Sequence, residues 1–339
     1  MSEPLLLQAF RGTNSRVPVW FMRQAGRYLP EYQHLKKNLT LEQMFRTPEV
    51  AAQITLLPFK TIDVDAAILF ADILTLPSQM GFKIRFVNGR GPVIDNPLKQ
   101  PADVKKMHSF QNLDYVGETI QLVRHSLPAH ISLIGFAGGP WTVLTYLLAD
   151  GSVSALSPAT RLALEHPQVF HAAMHKITSN TIDYLKLQKS AGIDVFQIFD
   201  TWAGILGPRY YRQWVLPYIR KIFEKVNLPS IYYLKNCAHL LPEMESSGAD
   251  FLSVCETVEL GNNPFLHKTK CGVQGNLFNG LLYTDENFLK REVQRLLKSA
   301  ALHHRRYIFN LSHGVLPDVD PGRLKLITDM VHRFPWKKP

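Results

Sequence analysis

Short apolar runs recur along the chain, separated by stretches whose apolar residues return at helical spacing. Runs at 17–22 (VPVWFM), 65–70 (DAAILF), 131–138 (ISLIGFAG) and 193–199 (IDVFQIF) predict strands. Four more follow at 230–234 (SIYYL), 249–254 (ADFLSV), 271–276 (CGVQGN) and 307–311 (YIFNL). Most of the eight are apolar on both faces, the pattern of parallel strands covered on both sides. Between them lie amphipathic helices. One ends at Gly192, a residue suited to a left-handed helix stop. Another, around 207–226, carries Pro217, which is expected to kink or split it. A third, 285–300, begins acidic and ends basic, as the helix dipole favours.

Eight strands alternating with helices predict an α/β fold, a (β/α)8 TIM barrel, as a single domain over 1–339. The competing architecture is an open doubly wound sheet. Its glycine-rich dinucleotide fingerprint is missing: GFAGGPW is the nearest stretch, and its spacing is wrong. Residues 81–97 (GFKIRFVNGRGPVIDNP) read as a small β-hairpin inserted after the second strand, with NGRG as its turn.

The formal net charge of +10 admits nucleic acid, an anionic membrane surface or a polyanionic small substrate. The basic residues are scattered. The densest group is His303, His304, Arg305 and Arg306, and the pairs Lys36-Lys37 and Lys105-Lys106 suit solvated faces, which argues against nucleic acid. No apolar run approaches the roughly 20 residues that span a bilayer, so no membrane partner is expected. Three cysteines, Cys237, Cys255 and Cys271, fit a reducing compartment better than a disulfide framework. The N-terminal MSEPLLLQAF lacks the shape of a signal peptide, so a cytoplasmic location is expected.

Active sites of such barrels form where the strands end. After the first predicted strand come Arg23, Gln24, Ala25, Gly26 and Arg27. Asp72 follows the second and Tyr146 the third. Asp200 and Thr201 follow the fourth, Lys235 and Asn236 the fifth, and Asn276 the seventh. Ser312, His313 and Asp318 follow the eighth. Each has a plain structural alternative. The arginines could pair with Glu31, Asp72 could cap a helix, Tyr146 could be core, and His313 could belong to a turn.

PVWFMRQAGRYLPEY, AAILFADILTLP, GFAGGPWTVLTY, QIFDTWAG and FNLSHGVLPDVDP occur in that order. Together they resemble the uroporphyrinogen decarboxylase family over nearly the whole chain. The resemblance implies a homodimeric barrel that removes four carboxyl groups from uroporphyrinogen III, giving coproporphyrinogen III, with neither metal nor cofactor. It places Arg23, Gln24, Ala25, Gly26, Arg27, Asp72, Tyr146, Thr201 and His313 against the substrate. It makes Asp72, with Arg23 and His313, the catalytic set. His313 has the ordinary pKa best suited to a general acid. Departures from the family pattern lie at 235–239, 253–260, 276–280 and Ser312.

Two rivals remain at this stage. One is a zinc-dependent corrinoid methyltransferase of the same superfamily, for which Cys237, His239, Cys255 and Cys271 offer candidate ligands. The other is a non-catalytic tetrapyrrole-binding paralogue.

Overall fold

The computed structural model describes residues 3–87, 91–149, 158–303 and 306–336. Nine strands are found there: β1 Ala66–Ile68, β2 Ile84–Val87, β3 Gly91–Ile94, β4 Ser132–Gly138, β5 Val195–Phe199, β6 Ser230–Tyr233, β7 Phe251–Ser253, β8 Gly272–Leu277 and β9 Tyr307–Leu311. Seven form one parallel sheet in the order β1-β4-β5-β6-β7-β8-β9. Their residues are nearly all buried, which is why the sequence shows runs rather than alternation. β2 and β3 form the antiparallel hairpin after β1, held by Arg85 on Asp95. The turn expected at NGRG falls mostly outside the described residues.

The predicted first strand, 17–22, is reduced to a single parallel bridge between Val19 and Phe309. The reason lies in its partners. The Pro18 carbonyl accepts from the Phe309 N–H at 2.9 Å, but Pro18 has no N–H to donate. The Val19 carbonyl accepts from the Asp65 N–H at 2.8 Å, so the segment bridges β9 and β1 and closes the barrel. The Val19 N–H, however, donates to the Asp65 carboxylate at 2.9 Å instead of to a strand carbonyl. A carboxylate thus completes the eighth stave.

That carboxylate is buried and heavily engaged. Arg16 donates two hydrogen bonds to Asp65, at 2.8 and 2.6 Å, and His332 of the helix Pro321–Arg333 lies 3.1 Å away. Burial alone would raise the Asp65 pKa. The hydrogen bonds of His332 and Arg16 outweigh it and leave the carboxyl below its ordinary value. Within the barrel, Trp20 Nε1 donates to Gln274, and Gln274 donates to Gln197 and Ser253, all at 2.9–3.0 Å.

The helices follow the sequence signals. Pro167–Ala191 stops at Gly192 in a left-handed conformation. The helical stretch containing Pro217 is split into Pro208–Trp214 and Leu216–Lys225. Arg306 lies over the Phe251 ring and donates to the Lys270 and Asp250 carbonyls, so it is used in packing. His304 and Arg305 fall outside the described residues. No helix among the described residues is long and apolar enough to cross a membrane.

Asp65→Asn should lower stability by about 2–4 kcal/mol, below the range for fully buried pairs because the Arg16 side chain is 33% exposed. A lower urea midpoint would show it. Because the folded-state pKa is depressed, this stabilisation is present above the ordinary carboxylate range. It is lost as pH falls through the depressed pKa, so the gap between the two proteins should close in acid. An unchanged midpoint at neutral pH would contradict the closing role.

Candidate active site

The first wall of the mouth is the turn 21–27. Arg23 holds a left-handed backbone, φ 61°. Such a conformation costs a non-glycine residue roughly 1–2 kcal/mol and persists only where the surroundings enforce it. Here they do. The Met22 N–H donates to Asn310 Oδ1 at 3.1 Å, and the Met22 carbonyl accepts from the Val315 N–H at 2.9 Å. Gln24 is fully buried. Its Oε1 accepts from the Phe21 N–H at 3.0 Å and its Nε2 donates to the Ala66 carbonyl at 2.9 Å. The Gln24 side chain is therefore committed to holding this turn on β1, and only its backbone remains for a ligand. Ala25 is half-buried beside it. A Cβ on Gly26 would come 2.8 Å from the Arg23 carbonyl, so the tight turn needs glycine.

Arg23 and Arg27 are exposed, and among the described residues neither makes an ion pair, with Glu31 or any other acid. Arg23 lies across Gly314: a Cβ there would stand 2.4 Å from Arg23 Cδ. The Arg23 charge acts on Asp72, Tyr146, Tyr233 and His313 together, which puts it at the centre of the mouth. Arg27 acts on Tyr32 and stands further out.

Asp72 follows β1. Its Oδ1 accepts from the Leu74 N–H at 2.8 Å, and its own N–H donates to Thr75 Oγ1 at 3.2 Å. The capping role open from sequence is not what forms: the helix Thr75–Gln79 begins after Leu74 with no side-chain cap, and Asp72 closes the turn ahead of it. The other carboxylate oxygen is left without a partner among the described residues. Burial raises the Asp72 pKa, and the Leu74 N–H and Arg23 only partly oppose it. This carboxylate is short of positive charge.

Tyr146 sits on the helix Pro140–Leu148, half-buried beside the Trp202 indole, with its pKa raised by burial. Asp200 docks that helix. The Asp200 carboxylate is fully buried and accepts from the Thr142 N–H at 2.9 Å. Burial pushes its pKa up to about 6. A Cβ on Gly139 would stand 2.2 Å from the Asp200 carboxyl carbon. Asp200 is therefore a support for Tyr146, a role that only the helix's return to β5 reveals. Thr201, next along, is half-buried.

His313 follows β9. Its Nδ1 accepts from the Gly314 N–H at 2.8 Å, which leaves the ring proton on Nε2. Burial first, then Arg23 and Lys235, lower its pKa to about 4, and Glu256 opposes them. The ordinary histidine pKa that recommends His313 as a general acid is thus removed by its surroundings. In the free protein the ring is a neutral hydrogen-bond donor.

The stretches that depart from the family pattern pack on one another. Cys237 and Cys255 bring their sulfurs to 3.6 Å. Asn276 Nδ2 donates to the Cys255 and Val258 carbonyls, both at 2.7 Å. The Ser312 N–H donates to the Leu277 carbonyl at 2.8 Å, and the Ser312 carbonyl accepts from the Tyr233 hydroxyl at 3.2 Å. The zinc ligands do not converge. His239 Nε2 bonds to the Leu206 carbonyl, and Cys271 Sγ to the Ala249 carbonyl. No group of three or more histidine, cysteine or acidic side chains among the described residues could hold a metal.

The fold and mouth define a class: a (β/α)8 barrel whose strand ends bring an unpaired arginine, Arg23, into the field of the half-buried Asp72 carboxylate. Comparison with known proteins narrows it. The family model described as uroporphyrinogen decarboxylase (URO-D) matches residues 1–334. The chain is 38% identical to a uroporphyrinogen decarboxylase of Vesicomyosocius okutanii, covering 98% of this chain and 99% of that one. It is also 38% identical to one of Geobacter sulfurreducens, at 95% and 96% coverage. A methyltransferase from Methanosarcina mazei shares the fold, with a TM-score of 0.81 at 21% identity over 98% of this chain and 99% of that one. The chain belongs to the uroporphyrinogen decarboxylase family.

Gly314→Ala should displace the Arg23 side chain while leaving the barrel intact. Binding of uroporphyrin, an eight-carboxylate ring, should weaken by about tenfold, the loss of one charge-assisted contact. A thermal midpoint close to the native value should accompany it. Native affinity would show that the position of Arg23 does not depend on this glycine.

Proposed function

We propose that this chain decarboxylates the four acetate side chains of uroporphyrinogen III to methyl groups, giving coproporphyrinogen III in tetrapyrrole biosynthesis. Family membership supports the reaction. The observation that carries the site assignment is Asp72, half-buried with one carboxylate oxygen unpartnered, in the field of the unpaired Arg23, with Arg27 four residues along the same turn.

Each residue then has a physical task. Arginine offers a planar fork of donors that fits a carboxylate, and it stays charged at any working pH. Arg23 and Arg27 hold substrate carboxylates. Tyr146 and Thr201 supply hydroxyls, and His313 supplies its Nε2–H.

In this scheme the pyrrole ring is its own electron sink. A proton added at a ring carbon makes the ring cationic. The bond to CO2 breaks, and its electron pair neutralises the ring. A second proton completes the methyl group as the first leaves the ring, so one proton is consumed for each CO2 released. Asp72 faces the pyrrole N–H groups and stabilises the cation by preorganised charge, an effect of about 3–4 kcal/mol for comparable single groups. The raised pKa fits this task, because a carboxylate short of positive charge gains most when positive charge develops beside it.

This reading favours an enzyme over a tetrapyrrole carrier, since binding polyanions calls for the arginines but not for Asp72 beneath the ring. We also read the chain as a cytoplasmic homodimer. The exposed Phe278, Tyr283 and Phe288 near the β8 end support a partner surface, and the three free cysteines suit a reducing compartment.

Anaerobic turnover of uroporphyrinogen III, with products separated by carboxyl count, tests the reading. The native chain should remove four carboxyl groups. Asp72→Asn should lower kcat by at least about a hundredfold while still binding the ring. A native chain that binds but releases no CO2 would make it a carrier.

A further inference from the structure

Lys235 lies two residues beyond the end of β6, on the mouth side of the barrel, and is half-buried. Its backbone has little freedom. A Cβ on Gly204 would stand 1.7 Å from the Lys235 carbonyl, so the turn after β5 presses backbone to backbone against this loop. Asn236 takes a left-handed φ of 55° and redirects the chain at once. Cys237 then anchors it: its N–H donates to Cys255 Sγ at 3.3 Å, and the Cys255 N–H lies 3.5 Å from Cys237 Sγ. Both cysteines are fully buried.

The side chain is less constrained than its backbone. Among the described residues Lys235 makes no ion pair or side-chain hydrogen bond. Glu256, the acid that His313 senses on this side, is exposed and does not pair with it. The residue is half-buried through its stem and backbone, and its ammonium is left without a protein anion among the described residues. The neighbouring strand end explains what it faces. Tyr233, at the end of β6, bonds to the Ser312 carbonyl and packs edge-on against the His313 ring, with centroids 6.4 Å apart. Lys235 and Arg23 approach His313 from different strand ends, and Asp72 is influenced by Arg23 but not by Lys235.

We propose that Lys235 is a third anchoring cation of the substrate site, binding a carboxylate of the macrocycle on the β6 side of the mouth, next to the His313 Nε2–H. Arg23 and Arg27 then hold the substrate on the Asp72 side, and Lys235 holds the far side. An eight-carboxylate ring is gripped from both sides, which fixes the pyrrole that lies over Asp72. The assignment rests on the tetrapyrrole reading above.

Two measurements on the full-length protein test it. The first is equilibrium binding of uroporphyrin to the native chain, Lys235→Met and Lys235→Arg. The second is steady-state turnover of uroporphyrinogen by the same three proteins. Lys235→Met should weaken binding and raise KM by about tenfold or more, with kcat changed by less than about threefold. Lys235→Arg, which keeps the charge, should recover most of the affinity. Native affinity in Lys235→Met would overturn the proposal. So would an affinity loss that Lys235→Arg does not restore, since that marks a packing role for the stem. Binding is read without catalysis, so a chain that fails to turn over uroporphyrinogen still reports on Lys235 separately.

Discussion

Arg23 is a fixed positive charge on a strained backbone, with no protein carboxylate in ion-pair reach among the described residues. Much of the architecture around the mouth follows from holding it there. Asn310 and Val315 fix Met22 before it, Gln24 ties the turn to β1 after it, Gly26 lets the turn close, and Gly314 gives its side chain a floor. Asp65 acts one step earlier, closing the barrel through Val19 so that residue 23 emerges at the strand ends. Leaving Arg23 unpaired makes sense when the missing anion arrives with the substrate.

Asp72 is the complement of that arrangement. Burial acts against its charge more strongly than Arg23 and the Leu74 N–H support it. A free carboxylate in that state is poorly satisfied, and under the proposed reaction a ring that becomes cationic above it is correspondingly favoured. His313 shows the same field with the opposite effect. Burial, Arg23 and Lys235 hold its pKa low in the free protein, where its Nε2–H is a hydrogen-bond donor. The chemistry of the mouth depends on which groups share one small volume, more than on their individual types.

The barrel was legible in the sequence because its strands are buried on both faces and appear as unbroken apolar runs. The first stave is the exception. VPVWFM has strand character, but Pro18 lacks a donor and the Asp65 carboxylate takes the Val19 N–H, so little of a ladder forms. Side-chain direction was not legible. Gln24 lies inside the most recognisable motif yet points into the core, whereas Lys235, in a divergent loop, is close enough to His313 for its charge to act on the ring. Asp200 follows a strand as Asp72 does, but it is sealed beneath the helix that carries Tyr146. The Cys237–Cys255 contact joins two loops that each look like a separate departure from the family pattern. Such roles arise from contacts between distant segments, and local pattern does not contain them.

The central claim is that unpaired cations, Arg23 above all, select the substrate by its carboxylates. The direct measurement is equilibrium binding of uroporphyrin and coproporphyrin, unreactive rings with eight and four carboxylates, at increasing salt. The account predicts tighter binding and a steeper salt dependence for the eight-carboxylate ring, with the difference largely removed in Arg23→Gln. Equal affinity for the two rings, or a difference that survives the substitution, would contradict it.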